Sequence, residues 1–121
     1  MNIETALKEA MNIDGALGAA LVDYGSGMAL GTIGGGRELD LELASAGNTE
    51  VVRSKLRTLA SLGLNDQIED ILITLGRQYH LIRLLTTSSS QLFMYLVLDR
   101  DRANLALARH NLRRLEGEIS V

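Results

Sequence analysis

There is no cysteine in this chain of 121 residues, which removes disulfides, thiol catalysis and cysteine-ligated metals together. Aromatic residues make up only 3% of it, too few for the stacking platform that binds bases or sugars. Positive charge does not dominate either. Lys and Arg number 12 against 15 Asp and Glu, a net charge of -3, whereas contact with a phosphate backbone needs a cationic surface. No stretch approaches the roughly 18 apolar residues that span a bilayer. The opening MNIETALKEAMNIDG lacks a basic n-region and a continuous apolar h-region, so it does not read as a secretory signal. These absences point to the cytoplasm, with neither nucleic acid nor membrane as a partner.

What is present is ordinary for a globular protein: 46% hydrophobic and 22% charged residues. The length suits a single domain over residues 1–121 that buries a core without metal or disulfide. Ile3, Ala6, Leu7, Ala10 and Met11 recur at helical spacing, predicting a helix from Ile3 to Asn12 capped by Asn2. Ala16 to Asp23 is short and apolar on both faces, as a strand covered on both sides would be. Tyr24-Gly25-Ser26-Gly27 has hairpin-turn chemistry, and a second strand runs from Met28 to Ile33. Gly34-Gly35-Gly36 reads as a flexible joint. Ile68 to Leu75, Gln78 to Thr86 and Leu92 to Leu98 read as three more strands. The first two of these are joined by Gly76-Arg77, a two-residue turn. A polar loop, Ser88 to Ser90, precedes the last strand, which is the most hydrophobic and belongs in the middle of the sheet. A final helix buries Leu105, Ala108, Leu112, Leu115 and Ile119, with Asp99 or Asp101 as its cap.

Between the two strand groups lies the longest run without a strong breaker, Glu38 to Leu62, capped at its far end by Gly63. On a helix its Leu41, Ala44, Val51, Val52, Leu56, Leu59, Ala60 and Leu62 cover about half the circumference. Glu50, Arg53, Ser54, Arg57 and Ser61 take the other half. A helix resting on one sheet needs an apolar stripe of only about 100°. The surplus suggests a second surface, and Gly47 beside Ala44 would allow a close approach. Because glycine weakens a helix by about 1 kcal/mol relative to alanine, a break near Gly47-Asn48 stays open. The fold class expected is α/β (α+β): a five-stranded antiparallel sheet in the order α-β-β-α-β-β-β-α. The long helix covers one face and the terminal helices the other.

No catalytic constellation emerges. His80 and His110 are isolated, without metal-ligand spacing. Gly34-Gly35-Gly36-Arg37 lacks the lysine and hydroxyl of a phosphate loop, and the spacing from Gly25 to Gly31 misses the dinucleotide fingerprint. Carboxylate pairs (Glu69 with Asp70, Asp99 with Asp101) stand beside no nucleophile or general base. Asp70 is odd in an apolar strand. It either guards against mispairing or meets a partner. The arginines of the last helix read as a solvated face.

The element order, together with Leu21-Val22-Asp23-Tyr24-Gly25-Ser26-Gly27-Met28-Ala29-Leu30-Gly31, resembles the roadblock (dynein light chain) family. In that family a segment of the type LVD-small-SGM-x-LG forms the first hairpin. The resemblance spans nearly the whole chain and implies a profilin-like fold without catalytic residues, cofactor or metal. It implies a homodimer, or a heterodimer with a related roadblock chain, built from paired central helices and abutting third strands. It also implies a non-enzymatic regulator or scaffold that binds a Ras-like small GTPase or associated signalling proteins. On this reading Ala44, Gly47, Val51, Lys55 and Leu62 on one flank of the helix are the candidate protein interface, with Ile71 and Ile73 on the third strand. The alternative is a small-molecule-sensing domain of profilin-like or PAS-like build. It would need an internal pocket with convergent polar groups, for which Tyr79, His80 and Tyr95 are the candidates.

Overall fold

The computed structural model describes residues 1–86 and 90–120. Helix α1 (Ile3–Met11) leads into strands β1 (Ala16–Asp23) and β2 (Met28–Gly34). The long helix α2 (Leu41–Ser61) crosses to β3 (Asp70–Thr74), β4 (Gln78–Leu84) and β5 (Leu92–Asp99), and α3 (Leu105–Glu118) closes the chain. All five strands form one antiparallel sheet in the order β2-β1-β5-β4-β3. The most hydrophobic strand, β5, lies in the centre as its composition requires. The edges are β2 and β3.

Helix starts follow side-chain capping, in which a short polar side chain accepts an otherwise unpaired backbone N–H. Asn2 accepts from Thr5 N at 2.8 Å, Asp40 from Leu43 N at 3.0 Å and Asn104 from Leu107 N at 3.0 Å. Two expectations are corrected here. The long helix begins at Leu41, because Glu38 sits in a turn closed by Gly36 and Leu39. The last helix is capped by Asn104 rather than Asp99 or Asp101. The Asp99 carboxylate accepts from Asp101 N at 3.1 Å and so is used inside the preceding turn. At the C-terminal end of α2, Gly63 adopts φ 68°, the left-handed position that favours glycine. Helix α2 runs unbroken through Gly47 and Asn48.

Strand ends differ from expectation by one or two residues, and the turns explain part of this. Gly34, Gly35 and Gly36 all have positive φ. A Cβ on Gly34 would lie 2.7 Å from Leu17 O, and one on Gly35 2.8 Å from Leu39 O. The expected flexible joint is therefore a shaped turn, pinned by Gly35 N donating to Leu17 O at 2.9 Å. The Gly76-Arg77 turn has the expected length, bracketed by Leu75 N donating to Gln78 O at 2.9 Å, yet neither residue has positive φ. Of the polar loop Ser88 to Ser90, Ser88 and Ser89 lie outside the described residues.

The sheet is covered on both faces, as the two-sided strands require. On one face α1 and α3 bury Leu7, Ala10, Leu112 and Leu115 against Leu21, Leu81, Met94 and Leu96. On the other, Leu41 and Val52 of α2 pack with Ala20, Val22, Ile82, Phe93 and Tyr95. Helix α2 lies over β1 and β2, which leaves the β3 side of this face less covered.

Candidate functional site: the groove between α2 and β3

The inward face of α2 coincides only in part with the face its apolar residues outline: Leu41, Ala44, Val52 and Leu56 pack on the core. Leu41, Ser45, Thr49 and Val52 are its buried positions. Ser45 and Thr49 tolerate burial because each hydroxyl donates to the carbonyl four residues back, to Leu41 O at 2.6 Å and Ser45 O at 2.8 Å. Three apolar residues are correspondingly displaced outward: Leu43 is 72% exposed, Val51 39% and Leu62 64%. Arg53, expected on the solvated half, is half-buried. Its Nε donates to Tyr24 O at 2.8 Å and its Nη2 to Gly25 O, clamping α2 to the β1–β2 turn.

Beneath the middle of α2 lies a small polar cluster. The His80 ring is bonded through Nε2 to Gln78 Oε1 and through Nδ1 to the Tyr95 hydroxyl, both at 2.9 Å. Nε2 donates to Gln78 Oε1, and in the neutral ring the bare Nδ1 accepts from the Tyr95 hydroxyl. Burial lowers the His80 pKa, in keeping with that state. Burial also raises the Tyr95 phenol, partly offset by the Asn48 side chain facing it from α2.

Outside this cluster, the second half of α2, the 62–69 connection and β3 enclose an open groove of about 1020 Å³. Val51, Lys55, Leu59, Leu64, Ile68 and Ile71 line it. It therefore joins three of the candidate interface residues (Val51, Lys55 and Ile71). Ala44 and Gly47 lie one to two turns toward the start of α2, and Leu62 follows its last residue. Ile73 occupies the same face of β3, opposite His80 of β4. Ala44, Ile71 and Ile73 are half-buried; Gly47, Val51, Lys55 and Leu62 are exposed. Among the described residues strand β3 pairs only with β4, which leaves its outer edge as a template for another strand.

The oddity at Asp70 has an internal explanation. Arg109 of α3 grips its carboxylate with two hydrogen bonds, Nε to Oδ2 at 2.9 Å and Nη2 to Oδ1 at 2.8 Å. This fork geometry is the strong form of an arginine–carboxylate pair. It ties the edge strand to α3, so that arginine is not simply solvated. A second pair was not foreseen at all. Arg83 of β4 and Glu116 of α3 are both buried and meet at 2.9 Å. Thr86 also donates to Glu116 through its N and Oγ1, both at 2.9 Å. Burial alone would raise the Glu116 carboxyl. The hydrogen bonds from Thr86 and Arg83 outweigh it and hold the pKa below the ordinary value. An arginine set among Leu81, Ile82, Leu84 and Leu85 was the available signal. Among the described residues no group of His, Cys, Asp and Glu is placed to hold a metal ion. No helix among them is long and apolar enough to cross a membrane.

Five antiparallel strands, a long crossover helix on one face and two terminal helices on the other constitute the roadblock fold. The likeness extends to particular solved structures. A roadblock/LC7 domain from Streptomyces avermitilis superposes with a TM-score of 0.81, covering 98% of this chain and 94% of that one at 10% identity. The gliding protein MglB of Thermus thermophilus gives 0.78 over 93% and 82% at 16% identity. MglC of Myxococcus xanthus gives 0.61 over 98% and 96% at 23% identity. No protein-family model and no curated protein matches the sequence. Identities this low carry the fold and leave function to be argued from the site.

Proposed function

We propose that this chain is a non-enzymatic roadblock module. It pairs with a second roadblock chain through α2 and β3, and the pair serves as a regulator or scaffold for a Ras-like small GTPase in the cytoplasm. One observation carries the pairing: the exposed flank of α2 stands beside the outer edge of β3, across a groove lined by Val51, Lys55 and Ile71. Strand addition at β3 would extend the sheet, and helix contact would cover the displaced apolar side chains. A solved MglB with a tetrameric arrangement lends support from a chain of the same fold. The GTPase reading rests on the resemblance to the roadblock family carried by the element order and the hairpin segment Leu21 to Gly31.

Of the three polar groups on which the ligand-sensing alternative depends, His80 and Tyr95 are occupied by one another. Tyr79 lies under the Arg100 guanidinium at 5.1 Å.

The test is an affinity capture from native cell lysate in parallel with a GTP analogue and with GDP, read by mass spectrometry. A Ras-like GTPase retained mainly in one nucleotide state supports the regulatory reading. Recovery of no GTPase in either state overturns it.

A further inference from the structure

The buried ion pair between β4 and α3 has a handle on the surface. Arg83 and Glu116 keep 8% and 5% of their side chains exposed, yet the second carboxylate oxygen accepts from a residue that faces solvent. Thr86, exposed two residues past the end of β4, donates to Glu116 Oε2 through its N and its Oγ1, both at 2.9 Å. One carboxylate therefore stands between a surface hydroxyl and a buried guanidinium. That guanidinium is under-used. Its Nε donates to Glu116 Oε1, whereas Nη1 is buried and has no hydrogen-bond partner among the described residues. An unmet donor on a buried charged group is costly, so a richer acceptor brought beside it would be taken up. Thr86 also opens a run of five hydroxyl residues, Thr86 to Ser90, which the proposed pairing does not use.

We infer that Thr86 is a phosphorylation site whose phosphate takes Arg83 from Glu116 and so releases the last turn of α3. The modification is a group transfer. Thr86 Oγ1 attacks the terminal phosphorus of a nucleoside triphosphate, the bond from that phosphorus to the bridging oxygen breaks, and the nucleoside diphosphate leaves. The hydroxyl proton passes to a base of the protein kinase that binds the triphosphate. A phosphothreonine carries a charge of about -1.5 to -2 at neutral pH. Beside Glu116 that charge repels, and the proton that bridged the two oxygens is gone. Toward Arg83 it attracts, with oxygens enough for Nε and the unmet Nη1 together, the forked contact that arginine makes with phosphate. Glu116 then leaves its place. Leu115 and Ile119 flank it and pack in the same core cluster as Leu81 and Leu85, so apolar surface is bared on the sheet face away from α2. None of this requires the pairing or the GTPase reading.

Two measurements test the site and the switch. Incubation of the full chain with native cell lysate and ATP, followed by phosphopeptide mapping, should place phosphate on Thr86. A chain left unmodified there overturns the site. Phosphothreonine incorporated at position 86 through an expanded genetic code should speed amide hydrogen exchange over residues 113–119 by about tenfold or more, with α2 and β1 unchanged. In Glu116→Gln no like charge opposes the phosphate, and Arg83 regains an anion. There the same phosphate should leave that exchange unchanged or slower than in the unmodified variant. Thr86→Val, which loses the hydroxyl hydrogen bond without gaining charge, should speed exchange by less than the phosphate does. Exchange no faster in the phosphorylated parent overturns the release. Faster exchange in both backgrounds, or protection lost evenly over the whole sheet, overturns the transfer of Arg83 from Glu116 to phosphate.

Discussion

Arg83 and Glu116 show how a single buried pair sets a local requirement. Removing one partner of a buried ion pair strands the other without compensation, at about 3–5 kcal/mol. Glu116→Ala is therefore expected to lower the free energy of unfolding by that order in urea titrations. Replacing both residues together by apolar side chains of similar volume should recover much of the loss. The pair also makes a pH signature. Because the Glu116 pKa is lowered by folding, its contribution is complete above the carboxylate's unfolded value near 4.3. It is lost as pH falls through the lower folded value. The urea midpoint should drop over that acid range in the parent and drop less in Glu116→Gln. His80 acts over a different range. Its pKa is also lowered, so the unfolded chain takes up this proton first, and stability should decline as pH falls below about 6.5. A His80 resonance that titrates in NMR at or above the free-histidine value would contradict the neutral, Tyr95-bonded ring.

Helix α2 carries the argument at the level of elements, and Gly47 and Val51 separate its two roles. A Cβ on Gly47 would meet nothing within 4 Å inside the chain. Gly47→Ala should therefore raise stability of an isolated subunit by about 0.5–1 kcal/mol through helix propensity. On the proposed pairing through α2, Gly47→Leu should leave the subunit folded yet weaken association, because the larger side chain would stand between the two chains. Val51→Glu, at the centre of the exposed flank, should yield a folded monomer in size-exclusion chromatography with light scattering. An intact Val51→Glu dimer would move the interface elsewhere. Periodicity alone revealed that α2 had more apolar surface than one sheet could use. It did not reveal the direction of the excess, because Ser45 and Thr49 occupy the buried face through hydrogen bonds to their own helix. Hydroxyls four residues apart, at 45 and 49, were the legible clue. The cap of α3 was misplaced for a related reason: Asp99, Asp101 and Asn104 are all competent caps, and the turn between them decided which was used.

For the whole molecule, the layers were legible because the hairpin glycines and the two-sided apolar strands leave few arrangements. Long-range polar pairings were not, since nothing local to Asp70 names Arg109, and nothing local to Arg83 names Glu116. The strand order has a kinetic consequence as well. The first hairpin and the last three strands can each assemble from neighbours in the chain, but they meet only where β1 pairs with β5, from Ala16 with Leu98 to Asp23 with Leu92. Each rung of that ladder closes a loop of roughly 70 to 80 residues, and such closures slow folding. The two halves should therefore gain hydrogen-exchange protection during refolding before the β1–β5 ladder does. Substitutions that weaken that ladder would lengthen the time the two apolar sheets spend apart, when aggregation competes with docking.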